Sequence, residues 1–162
     1  MVKFKILLAA TLLLVLSSPS QALDRRGRLG IGYSNELQNS IPTISLKLQK
    51  SKSFSFGALL NFSTDENKGG FGAGLKFYKI IFDEPQMNLY TSFLAALIRS
   101  KSITNSTSGF EADFALGSEF HFQGLSSLGF SFEFGVSMYN INKFVIQTQG
   151  NSMINAGVHF YL

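Results

Sequence analysis

Apolar residues recur at every second position in stretch after stretch of this chain, and a period of two is the signature of strands with two unlike faces. Arg28–Ser34 sets Leu29, Ile31 and Tyr33 against Gly30, Gly32 and Ser34, and Thr43–Gln49 sets Ile44, Leu46 and Leu48 against Ser45, Lys47 and Gln49. Phe54–Ser63 and Phe71–Lys79 continue it with Phe54, Phe56, Ala58, Leu60 and Phe62, then Phe71, Ala73, Leu75 and Phe77. Met87–Ile98 is apolar on both faces in its second half; Leu89, Thr91, Phe93, Ala95 and Leu97 are assigned to the same face as the phenylalanines before them. Phe110–Phe122, Leu128–Tyr139 and Ile154–Leu162 complete eight segments with no amphipathic helical window between them. The expected fold class is all-β.

Before the first segment, Lys3 and Lys5 precede an apolar run, Ile6–Leu16, and then Ser20-Gln21-Ala22, a small-residue site of the kind cleaved by signal peptidase. Residues 1–22 are therefore expected to be a signal peptide, and residues 23–162 the folded domain. The run is too short for a membrane-spanning helix. Without the two lysines the formal charge of +4 falls by two, since every acid lies after residue 22. A weak positive balance with no basic cluster leaves no footprint for nucleic acid. There is no cysteine, so neither a disulfide framework nor a lipid attachment site is available.

The connections alternate in length. Lys50–Ser53, Ile81–Gln86 and Gln123–Ser127 are short, whereas Asn35–Pro42, Thr64–Gly70, Arg99–Gly109 and Asn140–Met153 are generally longer and polar. Short turns at one end and longer loops at the other describe an eight-stranded antiparallel up-and-down transmembrane β-barrel. Volume decides which face is outside. The apolar faces carry most of the 17 phenylalanines, more bulk than an eight-stranded interior, already just filled by side chains, can take. Charged residues are only 15% of the chain, against about 25% in a typical soluble domain. Outward phenylalanine then needs lipid, and a closed barrel can cross it because every backbone group finds a partner within the protein.

With its leader, its eight alternating segments and an apolar last strand at Val158, Phe160 and Leu162, the chain resembles the small bacterial outer-membrane barrels of the OmpX and OmpA-barrel class. The resemblance covers the whole of residues 23–162 and rests on periodicity, not on a family motif. It implies a monomer in the outer membrane, in contact with its lipid and lipopolysaccharide, with Val158, Phe160 and Leu162 read by the outer-membrane assembly machinery. Members of the class usually end on an aromatic residue, where this chain has Leu162.

Arg28, Lys47, Lys76, Glu111, Asp113, Glu119, His121, Glu133 and His159 all fall on the inner faces, and opposite charges held in a narrow lumen are expected to pair as a structural network. Neither histidine is followed two residues on by the serine that an acyl-transferring or hydrolysing barrel would use, so no catalytic residue, metal ligand or cofactor site is assigned. Gly69–Gly74 lacks the Gly-Lys-Ser/Thr and the following helix of a phosphate loop. The sequon at Asn105-Ser106-Thr107 is taken as accidental. Lys68, Arg99, Lys101 and Lys143 lie in or beside the longer loops, where lipopolysaccharide phosphates would be. The expected role is a closed-lumen barrel serving envelope integrity or surface interaction through its loops; the rival readings are a narrow pore and a lipid A-modifying enzyme.

Overall fold

The computed structural model describes residues 26–101, 105–149 and 154–162. The expected leader, residues 1–22, lies outside them. Among the described residues nine strands follow one another: β1 (Leu29–Ser34), β2 (Thr43–Gln49), β3 (Phe54–Ser63), β4 (Gly70–Glu84), β5 (Met87–Lys101), β6 (Ser106–His121), β7 (Leu128–Asn140), β8 (Phe144–Thr148) and β9 (Asn155–Tyr161). Each of the first seven pairs antiparallel with the next, β9 pairs with both β7 and β1, and the sheet closes on itself. β8 and β9 are two pieces of one stave: β8 lies against the loop-end part of β7 and β9 against its turn-end part. The barrel is therefore eight-stranded, with no sheet edge along its closed part.

The face assignment is reproduced throughout. Phe62, Leu75, Leu97, Phe132 and Phe160 point outward and are exposed, while Ser45, Lys47, Lys76, Glu119 and Glu133 point inward and are buried. In β5 the outer set is Leu89, Thr91, Phe93, Ala95 and Leu97. Its inner face is apolar because Leu94, Ala96 and Ile98 pack with Leu59 and with Leu37 of the β1–β2 loop into a small core.

Three expected connections are shorter than the sequence suggests. β4 runs on to Glu84 through a bulge between Ile80 and Phe82, and the extra residue breaks the alternation that would have revealed the continuation. β5 and β6 reach Lys101 and Ser106; these extensions are polar on both faces, so period-two hydropathy fades although backbone pairing continues. The Asn140–Met153 stretch contains β8, hidden because Phe144, Val145 and Ile146 are consecutive apolar residues among polar ones.

Glycine on the inner wall makes room for tyrosine. A Cβ at Gly117 would lie 2.7 Å from the Tyr90 ring and from Glu133 Cγ, and one at Gly129 would meet Glu119 Oε1 at 2.7 Å.

Candidate functional site: the lumen network and the loop above it

Among the described residues, the lumen towards the turn end is filled by side chains of the strands. Lys47 (β2) donates to Glu119 Oε2 (β6) at 2.8 Å, and Tyr161 (β9) donates to Glu119 Oε1 at 2.6 Å. His121 Nε2 is 3.8 Å from the same carboxylate, and its Nδ1 is 3.0 Å from the carbonyl of Leu128. The Lys47 ammonium also lies 4.5 Å from the centre of the Tyr78 ring and 4.8 Å from that of Tyr90, so its charge is met by one carboxylate and two π faces. His159 Nε2 sits 2.8 Å from Ser45 Oγ.

Midway, Lys76 (β4) links Glu133 (β7) to Glu36, which the β1–β2 loop carries down into the lumen. Tyr90 donates to Glu133 Oε1 at 2.8 Å, and Gln149, just after β8, donates to Glu36 Oε1 at 2.6 Å. The loop is held at further points. The Gln38 backbone N–H donates to Glu111 Oε2 at 3.1 Å, Gln147 donates to the Gln38 side chain at 2.9 Å, and Asn39 and Asn61 exchange amide hydrogen bonds at 2.8 and 2.9 Å. Leu37, 2% exposed, is the apolar foot of this plug.

Of the residues expected in the network, Lys47, Lys76, Glu111, Asp113, Glu119, His121, Glu133 and His159 are buried in the lumen. Arg28 is elsewhere. It lies at the turn-end rim, donating to the carbonyls of Tyr161 and Leu162 and to Ser127 Oγ, because it stands one residue before β1, where the wall gives way to the mouth. The expected charge balance is altered as well, since Glu36 joins the acids and Arg28 leaves the bases. Glu111 and Asp113 share the hydroxyl of Ser137, and among the described residues neither has a lysine or arginine within salt-bridge distance. Val158, Phe160 and Leu162 project outward from the turn-end part of the last stave.

Sequence reasoning missed Glu36, Gln38 and Gln149, which lie in the β1–β2 loop and just past the end of β8. Tyr78, Tyr90 and Tyr161 fall on the inner face by parity without a role assigned to them, although they are large buried side chains of the lumen. The Ser45–His159 pair has the spacing of a nucleophile and its base, yet it is buried inside the barrel, and His159 Nδ1 has no hydrogen-bond partner among the described residues. Nucleophilic catalysis calls for a third group orienting the base and for access to substrate. Among the described residues no group of three or more His, Asp or Glu is arranged to hold a metal ion.

No family model matches the chain, and no curated protein matches it. Among solved structures it is similar to the N-terminal β-barrel domain of Pseudomonas aeruginosa OprF, with a TM-score of 0.61 and 14% sequence identity over 85% of this chain and 98% of that one. At that identity the likeness is one of fold: the chain has the closed eight-stranded barrel of small outer-membrane proteins.

Proposed function

We propose that this chain is an integral protein of the bacterial outer membrane whose lumen is closed to solutes and which serves the envelope, or contacts outside partners, through its loop end. The observation that carries the reading is the reversal of faces: lysines and carboxylates fill the interior while Phe62 is 76% exposed and Leu97 68% on the outside. Such a surface is stable against hydrocarbon and not against water. The turn end then faces the periplasm, and the loop end faces outward, where Ser100, Thr107, Tyr139, Lys143 and Val145 line a hollow of roughly 370 Å³.

Closure of the lumen is supported by the Lys47–Glu119–Tyr161 layer and by the plug above it, in an interior that eight strands leave just wide enough for side chains to fill. The buried position of Ser45 and His159 argues against an acyl-transfer enzyme, whose pair would need to meet lipid.

Fractionation with heated and unheated gel lanes tests the location: an outer-membrane band whose mobility depends on heating is expected, and a soluble protein without that change overturns the reading. Planar bilayers should show no reproducible conductance steps from the purified barrel. The acyl chains of lipid A should be the same with and without the protein. Deleting Phe160–Leu162 should abolish stable insertion, because β9 closes the wall against β1.

A further inference from the structure

The outer wall is not uniformly bulky. Phe56, Phe77, Phe93 and Phe114 stand side by side across β3–β6 and form a shelf, with Phe93 and Phe114 ring centres 4.8 Å apart. The next row towards the loop end is Ala58, Leu75, Ala95 and Ala112, and the row after that is Leu60, Ala73, Leu97 and Phe110. Alanine where the shelf has phenylalanine leaves a groove of roughly 500 Å³, lined almost wholly by apolar atoms, a size within the range of small-molecule sites, about 300–1,000 Å³.

Above the groove the outer face of β5 changes character. Arg99 and Lys101 follow Leu97 on the same face, and the Lys101 backbone N–H donates to the carbonyl of Gly69, tying the Lys68–Gly69 turn to this spot. The adjoining turn carries two acids, Asp65 and Glu66, of which Asp65 is engaged by the backbone N–H groups of Lys68 and Asn67, which hold its carboxyl below the usual carboxylate range. Arg99 Nε donates to Ser106 Oγ, which fixes the guanidinium on this face.

We infer that this groove seats one acyl chain of a phosphorylated glycolipid of the outer leaflet, lipid A, with its phosphate held by Arg99 and Lys101. The inference rests on the outer-membrane reading, since that membrane supplies the lipid and the loop end must face outward. Length fits one leaflet. From Arg99 to Phe93 is about 20 Å along the strand at 3.3–3.4 Å per residue, which a strand tilt of 35–45° reduces to roughly 15 Å of depth, half of a core about 30 Å thick. The Phe shelf therefore stops the chain near the midplane. A second copy packed symmetrically over the same groove would bring two sets of Arg99 and Lys101 together in a poorly solvated setting, which disfavours self-association there.

The test uses the mature full-length barrel refolded in detergent micelles, titrated with lipid A and separately with phosphatidylglycerol, and read by native mass spectrometry. Lipid A should bind one to one and at least tenfold more tightly than phosphatidylglycerol. Ala95→Phe should weaken it at least tenfold, and the double change Arg99→Gln with Lys101→Gln about tenfold, while Phe132→Ala, on β7 outside the groove, leaves it unchanged. Heat-dependent gel mobility verifies folding of each variant, and Ala73→Leu serves as a milder groove filler should Ala95→Phe not fold. Equal binding by the groove-filled and parent barrels, or equal affinity for both lipids, overturns the inference. Fractionation outside the outer membrane would overturn the location instead, so the two failures are separable.

Discussion

The two halves of the lumen solve the same problem with different material. Near the turn end, the buried charges among the described residues come from strands and meet an opposite charge or a ring: Lys47 with Glu119, and Glu119 in turn with Tyr161. Near the loop end the filling is brought in by residues 35–42, an apolar foot at Leu37 stands among Leu59, Leu94 and Ile98, and two carboxylates share one serine. The first half is wall chemistry, fixed when the barrel closes. The second is a plug, whose stability depends on how well a loop docks. Lys76 joins them, because one of its carboxylates is in the wall and the other is in the plug.

Replacing Lys76 by alanine should therefore have the largest effect of any lumen change. Glu133 and Glu36 would both be left buried without a cation, a loss of roughly 3–5 kcal/mol by the precedent of broken buried pairs. The urea midpoint of barrels refolded in lipid vesicles measures it, and a cost below that of any change at one end alone would mean the halves are not coupled through this lysine.

Glu119→Gln tests the turn-end half by itself. It leaves the Lys47 ammonium facing an amide and two rings, so a loss of about 3 kcal/mol is expected on the same assay. Loss of the plug should be milder. Leu37→Ala removes a fully buried side chain, a change that costs about 2–5 kcal/mol in a core; at a loop free to settle into the space the lower figure is expected. Hydrogen exchange should then rise at residues 35–42 and remain unchanged in β6 and β7. Uniform loss of protection would show that the plug is part of the wall's own cooperative unit.

The difference between the halves also marks how far the sequence could be read. Strand faces were legible because lipid imposes bulk on alternate positions, and β5, apolar on both faces, has the expected set outward, with Phe93 between Phe77 and Phe114. Lys47, Glu119, Glu133 and His159 could be placed in the lumen on parity alone. Parity says nothing about a loop. Glu36, Leu37 and Gln38 read as polar connection because their burial is set by the three-dimensional gap they fill, and β8 was hidden because its consecutive apolar residues Phe144, Val145 and Ile146 do not alternate. Arg28 kept inner-face parity yet stands at the mouth, since parity gives direction and not depth.

The smallest expected effect is also the one that most sharply divides the halves, because it makes the same chemical change as Glu119→Gln, carboxylate to amide, at the loop end. Asp113 is 1% exposed and accepts from Ser137 Oγ, while its second oxygen has no hydrogen-bond partner among the described residues. Glu111, equally buried, lies 3.4 Å from the same hydroxyl, and one hydroxyl proton cannot serve two carboxyl groups. Asp113→Asn replaces one carboxyl of this pair by an amide whose N–H can donate to Glu111, while an oxygen is retained for Ser137. No cation is stranded by the change, so the penalty that governs Glu119→Gln does not arise. The urea midpoint should hold steady or rise, with a gain of up to about 1 kcal/mol, the net value of an ordinary hydrogen bond. A clear loss at Asp113, comparable with that at Glu119, would mean that the two carboxylates are held by a counter-charge in the plug region and that the lumen is one network from end to end.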